Sequence, residues 1–375
     1  MLSSIVNKSL GYQISHNEFD VVSVNNAGDP FSKINYYLVN TLKEEKELVE
    51  FYAKEVLRIT DEDIWGYCAS GSTEAILNAM WMARKRFPPG TKIYASADSH
   101  FCVTKIADML CMPVVLVPTI EETGEMDMDQ LRNSIVEENA KQGVTPPVGV
   151  GSAIVILTMG TTIRNAYDDM ITFYDDVVHR LPEVEFHVHV DGAFGGAIYP
   201  FMKSQWLMYK IDTFNMSFHK FFGCPTPCAL FLTRKEIQNE IKGKGCFGKE
   251  MVCLPEKDYT ISCSRNGTAV AEMYHKIVLD EFFFLNTATK IIDCLKNRKY
   301  FVDRLPEHIL YRESHELSMS VELMNLSKAV IDKLKPYGVS VRYDSSSNLY
   351  STHIYICTHV SRDLLDEVIE LLKET

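Results

Sequence analysis

The chain has 375 residues, of which 46% are apolar and 23% charged, which suits a globular protein with one large core and a smaller second domain. Its formal net charge of −12 argues against a nucleic-acid or anionic-membrane partner, because neither would gain from binding so acidic a protein. The charge does not exclude an anionic ligand, which needs only a local cluster of donors.

Targeting signals and metal motifs are not evident. The segment Met1–Ile5 has no basic stretch leading into an apolar run, and the longest apolar run, near 148–157, is too short to span a bilayer. The ten cysteines are scattered and include no pair of CxxC motifs. We therefore expect reduced thiols, no metal site and a cytoplasmic protein.

The first two thirds of the chain alternate between strand and helix patterns. Residues 1–45 contain polar turns and are predicted to form an arm. The apolar spacing predicts a helix from Glu44 to Leu57 and another that begins near Thr73. This alternation predicts a doubly wound, largely parallel sheet buried on both faces. The further predicted elements here are strands at Lys92–Ala95, Val114–Val117, Ala153–Leu157, Phe186–Val190 and Asp212–Met216, and helices at Phe101–Leu110 and Asp169–Arg180.

The pattern changes after about Ala269. A helical stretch to roughly Phe301 precedes a half-buried strand at Leu317–Leu323. A helix at 325–335, strands at 338–343 and 352–357, and a helix at 361–373 follow. This order predicts a small α+β domain. We place the large domain at 46–290 and the small domain at 291–375, with a long helix that can bridge the two.

Three short segments carry groups suited to chemistry. The turn Ser70–Glu74 opens a helix, and free N–H groups at a helix N-terminus, with nearby hydroxyls, suit an anion such as phosphate. Ser and Thr at this position are also common as simple N-caps, and for this turn taken alone an N-cap is the more common role.

Asp191 and Lys220 each follow an apolar strand, where open α/β sheets bind ligands. A carboxylate at that place can pair with a protonated ring nitrogen, or it can simply cap the turn before Gly192. A lysine beside His219 can be desolvated enough to form an imine, or it can be a surface loop residue. His100 also follows a strand, and a lone histidine is more often structural than catalytic.

The ordered set of segments is far more specific than any one of them. It resembles the group II pyridoxal-phosphate (PLP) dependent amino-acid decarboxylases, especially the histidine and serine decarboxylase branch. The likeness runs from about Asn25 to about Lys276. It rests on Asn25–Pro30, Trp65–Tyr67, Gly71–Glu74, Tyr94–His100, Gly160–Thr162, His189–Ala193, Ser217–Pro225 and Ser264–Gly267.

The resemblance implies a fold-type-I, aminotransferase-like large domain with a mainly parallel sheet, plus the small C-terminal α+β domain. It implies that Lys220 forms the Schiff base with PLP, that Asp191 pairs with the pyridine nitrogen and that His100 stacks on the ring. A homodimer is implied too, because Ser264 would reach the phosphate of the neighbouring subunit. The other cofactor-binding residues implied by the resemblance are Gly71, Ser72, Thr73, Thr161, Ala193, Ser217 and His219.

Cys253 stands where the wider family usually has a tyrosine that returns a proton to the substrate carbon. Tyr259 is a nearby substitute, and the glycine-rich segment 243–248 before it is typical of a mobile lid. The proton donor is thus open, and decarboxylation coupled to oxidation of the amine is an alternative reaction.

These observations predict a lyase of amino-acid and carboxylic-acid metabolism that releases CO2 from an L-amino acid and leaves the amine. Histidine is the first choice of substrate and serine the second. The Gly28–Pro30 and Lys220–Pro225 segments look more like the serine enzymes, whereas chain length favours histidine. A degenerate family member that serves as a binding or scaffold subunit is a further alternative, but such a subunit needs neither Lys220 nor Asp191.

Overall fold

The structure is a computed structural model, and it describes residues 24–31, 40–59, 64–141, 151–203, 211–245, 250–251 and 254–373. The strands are β1 (Asn25–Ala27), β2 (Ile64–Ala69), β3 (Ile93–Ser96), β4 (Val114–Val117), β5 (Gly151–Thr158), β6 (Val184–Asp191), β7 (Thr213–Ser217), β8 (Ala229–Arg234), β9 (Glu250–Met251), β10 (Leu254–Lys257), β11 (Ser264–Asn266), β12 (Leu310–Arg312), β13 (Ser320–Leu326), β14 (Val341–Asp344) and β15 (Leu349–Tyr355).

The α-helices differ widely in length, and two of them, α1 and α5, continue into wider π-type turns at Tyr52–Val56 and Phe173–Val178. The helices are α1 (Leu42–Phe51), α2 (Ser72–Arg86), α3 (Cys102–Met109), α4 (Met128–Lys141), α5 (Met170–Thr172), α6 (Tyr199–Met202), α7 (Lys235–Ile241), α8 (Gly267–Ile277), α9 (Phe283–Val302), α10 (Lys328–Leu334) and α11 (Arg362–Lys373). In the part of the chain that the structure describes, none of these is long and apolar enough to cross a membrane.

The central sheet has seven strands in the order β2-β8-β7-β6-β5-β3-β4. Only β8 runs antiparallel to its neighbours, so the predicted, largely parallel sheet is confirmed. Because the strands β5, β6 and β7 are parallel neighbours, their carboxyl ends meet at one edge. The predicted chemical residues Asp191 and Lys220 follow two of these ends.

Each face of this sheet is covered by its own apolar core. Along β5, Ile154 and Ile156 join the core that contains α2, whereas Val155 and Leu157 join the opposite core that contains α1. Successive side chains of a strand point to opposite faces, so a continuous apolar run is what a doubly covered strand requires. The sheet is therefore a rigid support for the residues at its edge.

The N-terminal segment is tied to the large unit by a buried ion pair. Arg265 of β11 contacts both carboxylate oxygens of Glu45 in α1 at 3.0 Å, and both side chains are almost fully buried. Glu45 also accepts hydrogen bonds from Asn26 Nδ2 at 2.6 Å and from the Cys68 amide at 2.8 Å. Four segments distant in sequence thus meet at one carboxylate.

The C-terminal part forms a four-stranded antiparallel sheet in the order β12-β13-β15-β14, with α9 packed on β13, α10 packed on β15, and α11 packed against both helices. A third apolar core, which includes Phe301, Val321 and Leu365, fills the space between them. The small α+β unit expected from the sequence is present. The boundary expected near residue 290 falls inside α9, and we propose that this helix bridges the two domains.

One predicted element differs from the structure. The single helical stretch expected from Ala269 to Phe301 is two helices, α8 and α9, separated at 278–282. Asp280 causes the break, because its carboxylate accepts the Phe282 amide at 2.9 Å and the Asn286 side chain at 3.3 Å. Such local side-chain bonds compete with helix continuation and favour a new N-terminus.

Candidate active site

The edge of the sheet opens into a cavity of about 420 Å³. Every cofactor-binding residue expected from the sequence lines this one cavity, with the exception of Ser264. Residues far apart in sequence are brought together here by the parallel strands. The expected residues that line it are Gly71, Ser72, Thr73, His100, Thr161, Asp191, Ala193, Ser217, His219 and Lys220.

One end of the cavity is rich in hydrogen-bond donors. The long helix α2 begins at Ser72, so its unpaired N–H groups and the positive end of its dipole face this end. Ser72 Oγ lies 2.6 Å from Ser217 Oγ at the end of β7. The ring of His219 is fixed by the backbone of Cys228, whose carbonyl oxygen and amide lie 3.0 and 3.2 Å from Nδ1. This arrangement suits a phosphate group.

Asp191 lies at another side of the cavity, at the carboxyl end of β6. Its Oδ1 accepts hydrogen bonds from the Ala193 amide at 3.1 Å and from Asn215 Nδ2 at 3.0 Å. The residue is only 3% exposed. These two donors fix the orientation of the carboxylate, which suits it to pair with a cationic ring nitrogen.

His100 lines the cavity near both charged groups. Burial and the positive charge of Lys220 lower its pKa, and the negative charge of Asp191 acts in the opposite direction. Its Nδ1 accepts the Cys102 amide at 3.2 Å, so the neutral ring carries its proton on Nε2. A neutral, flat ring is what stacking on an aromatic cofactor requires.

Lys220 follows β7 in a tight turn. Its amide is 3.4 Å from Ser217 O, and its carbonyl accepts the Gly223 amide at 3.1 Å. Burial and the charge of Lys220 lower the pKa of His100, whereas burial raises the pKa of Cys102 against a smaller opposing effect of Lys220. Lys220 lines the cavity although the residue is exposed. A primary amine lies in the cavity with the phosphate-type site and the carboxylate.

The Gly160–Thr162 loop joins the site to the C-terminal unit. Gly160 has φ +88°, and a Cβ on it would lie 2.6 Å from Asn165 Nδ2, so glycine is required here. The Tyr355 hydroxyl of β15 lies 3.1 and 3.0 Å from the carbonyl oxygens of Thr161 and Thr162. Thr161 thereby reaches the cavity on a loop that both units fix.

Sequence reasoning missed some residues of this site. Cys102 and Thr158 line the cavity, and Asn215 contacts Asp191 from β7. The signal for Asn215 was available, because Thr213, Asn215 and Ser217 are polar at alternate positions of an otherwise apolar strand. The signal for Cys102 was not, because a cysteine on the apolar face of a helix is typical of a core.

Two expected residues lie elsewhere. Ser264 is exposed on β11 and does not line the cavity of its own chain. Tyr259 packs against Trp65 with ring centroids 5.9 Å apart and does not line the cavity either. Cys253 and residues 246–249 of the glycine-rich segment lie outside the described residues.

The residues present fit PLP. The cavity is within the usual size range for a cofactor site, and it combines an anion site at a helix N-terminus, a fixed carboxylate and a primary amine. With the doubly covered sheet, this arrangement defines a fold-type-I PLP enzyme.

Comparisons with known proteins agree with this class. Residues 66–327, more than half of the chain, match the family model of the pyridoxal-dependent decarboxylase conserved domain. The chain belongs to this family. The family, its PLP cofactor and the carboxy-lyase class expected from the sequence are thereby confirmed.

Two named relatives and one solved structure are similar to most of this chain. Serine decarboxylase 1 of Oryza sativa subsp. japonica is 30% identical over 94% of this chain and 67% of its own length. Histidine decarboxylase of Vibrio anguillarum is 30% identical over 77% of this chain and 70% of its own length. The crystal structure of L-methionine decarboxylase from Streptomyces sp.590 superposes with a TM-score of 0.77 at 19% identity, covering 94% of this chain and 87% of that one.

Proposed function

We propose that this protein decarboxylates an L-amino acid to the amine and CO2, with histidine as the first candidate substrate and serine as the second. The observation that carries the proposal is that Lys220, Asp191 and His100 line a single cavity beside the N-terminus of α2. A binding or scaffold subunit would need none of these three side chains.

Each residue of the cavity has a role in this proposal. Ser72, Thr73, Ser217 and His219 bind the phosphate of PLP together with the free amides of α2. Thr161 lies near the phenolic oxygen of the ring.

The remaining contacts act on the ring itself. Asp191 pairs with the ring nitrogen, His100 stacks on one face and Ala193 packs against the other. Lys220 would supply the primary amine that holds the cofactor in the absence of substrate. When bound, PLP supplies an electron sink for the pair left on the α-carbon as CO2 departs.

The choice of substrate rests on relatives and on short segments. Named histidine and serine decarboxylases share about 30% identity with the chain, so neither substrate is favoured by overall likeness. Chain length favours histidine, whereas Gly28–Pro30 and Lys220–Pro225 favour serine.

A homodimer belongs to the same proposal. Ser264 is exposed on β11, near the buried Arg265–Glu45 pair that fixes this strand. A second copy of the chain would allow Ser264 of the partner subunit to reach the phosphate. It would add one donor to the phosphate site, as the resemblance to the family implies.

A second candidate reaction follows from Cys253. If the proton returns slowly to the α-carbon, O2 can take the electrons, and the amino acid, O2 and water give aldehyde, CO2, ammonia and hydrogen peroxide. A buried thiol can still donate a proton, since its ordinary pKa of about 8.5 lies below the value of about 10 for a phenol. We place this reaction second.

The test is a screen of the twenty amino acids for CO2 and amine, with oxygen uptake recorded in parallel. Wild-type protein should release CO2 and amine in equal amounts from one substrate, and Lys220→Ala should be inactive. Lys296→Ala is the control, because Lys296 is 65% exposed on α9 and pairs with Asp293. If PLP-loaded protein releases CO2 from none of the twenty amino acids, the proposal is overturned.

A further inference from the structure

A set of polar side chains lies beneath Asp191, between the central strands β6 and β7. We call it the polar column, and its members are His187, His189, Thr213 and Asn215. All four are no more than 1% exposed. Burying polar groups this deeply costs folding free energy unless they are hydrogen-bonded. We therefore expect the polar column to have a function.

Hydrogen bonds connect most of the polar column. His187 Nε2 lies 3.2 Å and His189 Nδ1 2.9 Å from Thr213 Oγ1. At the top, Asn215 Nδ2 lies 3.0 Å from Asp191 Oδ1. His187 Nδ1, His189 Nε2 and Asn215 Oδ1 are all buried and make no hydrogen bond with the described residues.

The carboxylate of Asp191 determines which atom donates in the hydrogen bond with Asn215. An ionised carboxylate only accepts, so Asn215 must present its amide nitrogen to Asp191 and its oxygen to the interior. That oxygen needs a donor, and His189 has a nitrogen in need of a partner. Burial lowers the pKa of His189, and Asn215 acts in the opposite direction, as a hydrogen-bond acceptor beside the ring would.

The tautomer of His189 then follows. If Nε2 carries the proton, Nδ1 is an acceptor for the Thr213 hydroxyl, whose oxygen accepts in turn from His187 Nε2. Burial lowers the pKa of His189 to about 4, against opposing effects of Asp191 and Asn215, so the ring is neutral at ordinary pH. With this tautomer, the donors along the polar column are ordered toward Asp191.

The charged groups around the polar column do not interrupt this order. Arg86 lies close enough to lower the pKa of His187, and it is itself paired with Asp212 at 3.3 Å. Asp191 is the charged group at the upper end. Burial lowers the pKa of both histidines; Arg86 acts in the same direction on His187, whereas Asp191 acts in the opposite direction on His189.

We propose that His189 is a positioning residue for Asp191, which it orients by donating from Nε2 to Asn215 Oδ1 so that the Asn215 amide always presents its nitrogen to the carboxylate. This rests on the proposed function, in which Asp191 meets the ring nitrogen of PLP. Without His189 the Asn215 amide can turn over and place its oxygen against the carboxylate. The carboxylate then loses a donor and pairs less well with a protonated ring nitrogen.

The test compares His189→Leu with His189→Gln, whose amide can still donate to Asn215. The readouts are the dissociation constant for PLP, the nitrogen-15 shift of the ring nitrogen in bound cofactor, and kcat and KM. His189→Leu should weaken PLP binding about tenfold, move the shift toward the unprotonated value and lower kcat more than it raises KM. His189→Gln should restore most of each loss.

Thr213→Val provides a second variant that keeps the side-chain shape, so it tests the inference even if His189→Leu does not fold. It should weaken PLP binding about threefold, because it removes only the hydroxyl that fixes the His189 tautomer. Its matched control is Thr233→Val, since Thr233 is equally buried on β8 but its hydroxyl bonds the carbonyl of Asp212 at 3.2 Å. The control should bind PLP as wild type does.

Different results would contradict the PLP-dependent function and the role of His189. If wild-type protein binds no PLP, the proposed function fails. If wild type and Asp191→Asn behave as proposed but folded His189→Leu and Thr213→Val match wild type in affinity and nitrogen-15 shift, the role of His189 is wrong. A His189→Gln variant as impaired as a folded His189→Leu would also overturn it.

Discussion

Replacing Asp191 by asparagine should remove most catalysis and leave the fold intact. The carboxylate is 3% exposed and accepts two hydrogen bonds on Oδ1, from the Ala193 amide and from Asn215. An asparagine of the same shape can accept both bonds through its own Oδ1. Its Nδ2 then occupies the place of Oδ2 and carries no negative charge.

The magnitude follows from the lost charge. A preorganised, charge-assisted contact in a site from which water is excluded contributes roughly 3 kcal/mol to the transition state. Since about 1.4 kcal/mol corresponds to a tenfold change in rate, kcat should fall by about a hundredfold or more. Binding of PLP should be weakened less, because the phosphate contacts remain.

The assay is single-substrate CO2 release at saturating PLP, with the content of bound cofactor measured on the same sample. The matched control is Asp212→Asn, because Asp212 is also buried on the sheet but bonds the Val188 amide and pairs with Arg86, away from the cavity. The control should lose stability rather than kcat. Near-normal kcat in Asp191→Asn would refute the pairing of this carboxylate with the ring nitrogen.

Three further predictions concern other parts of the molecule. Arg265→Met should lower the free energy of unfolding, measured in urea, by about 3–5 kcal/mol, because it leaves the Glu45 carboxylate buried without its cation; a change below about 1 kcal/mol would contradict this. Ser264→Ala should weaken PLP binding while sedimentation still shows a dimer, and an active monomer would contradict the shared site. In an oxygen electrode, Cys253→Tyr should reduce any oxygen uptake of the wild type; uptake that is absent, or unchanged in the variant, would dispose of the oxidative reaction.

The sequence predicted functional residues best where a reactive side chain directly follows a strand. Asp191 and Lys220 were recognisable because each follows an apolar run, and parallel strands bring such ends to one edge. The start of α2 was predicted to within one residue, since a small-residue turn precedes a clear helical periodicity.

Other features depend on contacts that a local pattern does not contain. The antiparallel strand β8 lies between β2 and β7, and nothing in 229–234 distinguishes it from a parallel strand. The Glu45–Arg265 pair joins residues 220 positions apart, so either residue alone is typical of an exposed charge. The break between α8 and α9 was not predicted, because the bonds of Asp280 that cap the second helix form only in the folded chain.

The most direct measurement of the central claim is to identify the lysine that binds the cofactor. Purified protein is saturated with PLP, reduced with borohydride, digested and mapped by mass spectrometry, with Lys220→Ala and Lys296→Ala treated alongside. The account predicts one pyridoxyl group per chain, on Lys220, in wild type and in Lys296→Ala, and none in Lys220→Ala. A pyridoxyl group on another lysine of wild-type protein, or an undiminished yield in Lys220→Ala, would contradict it.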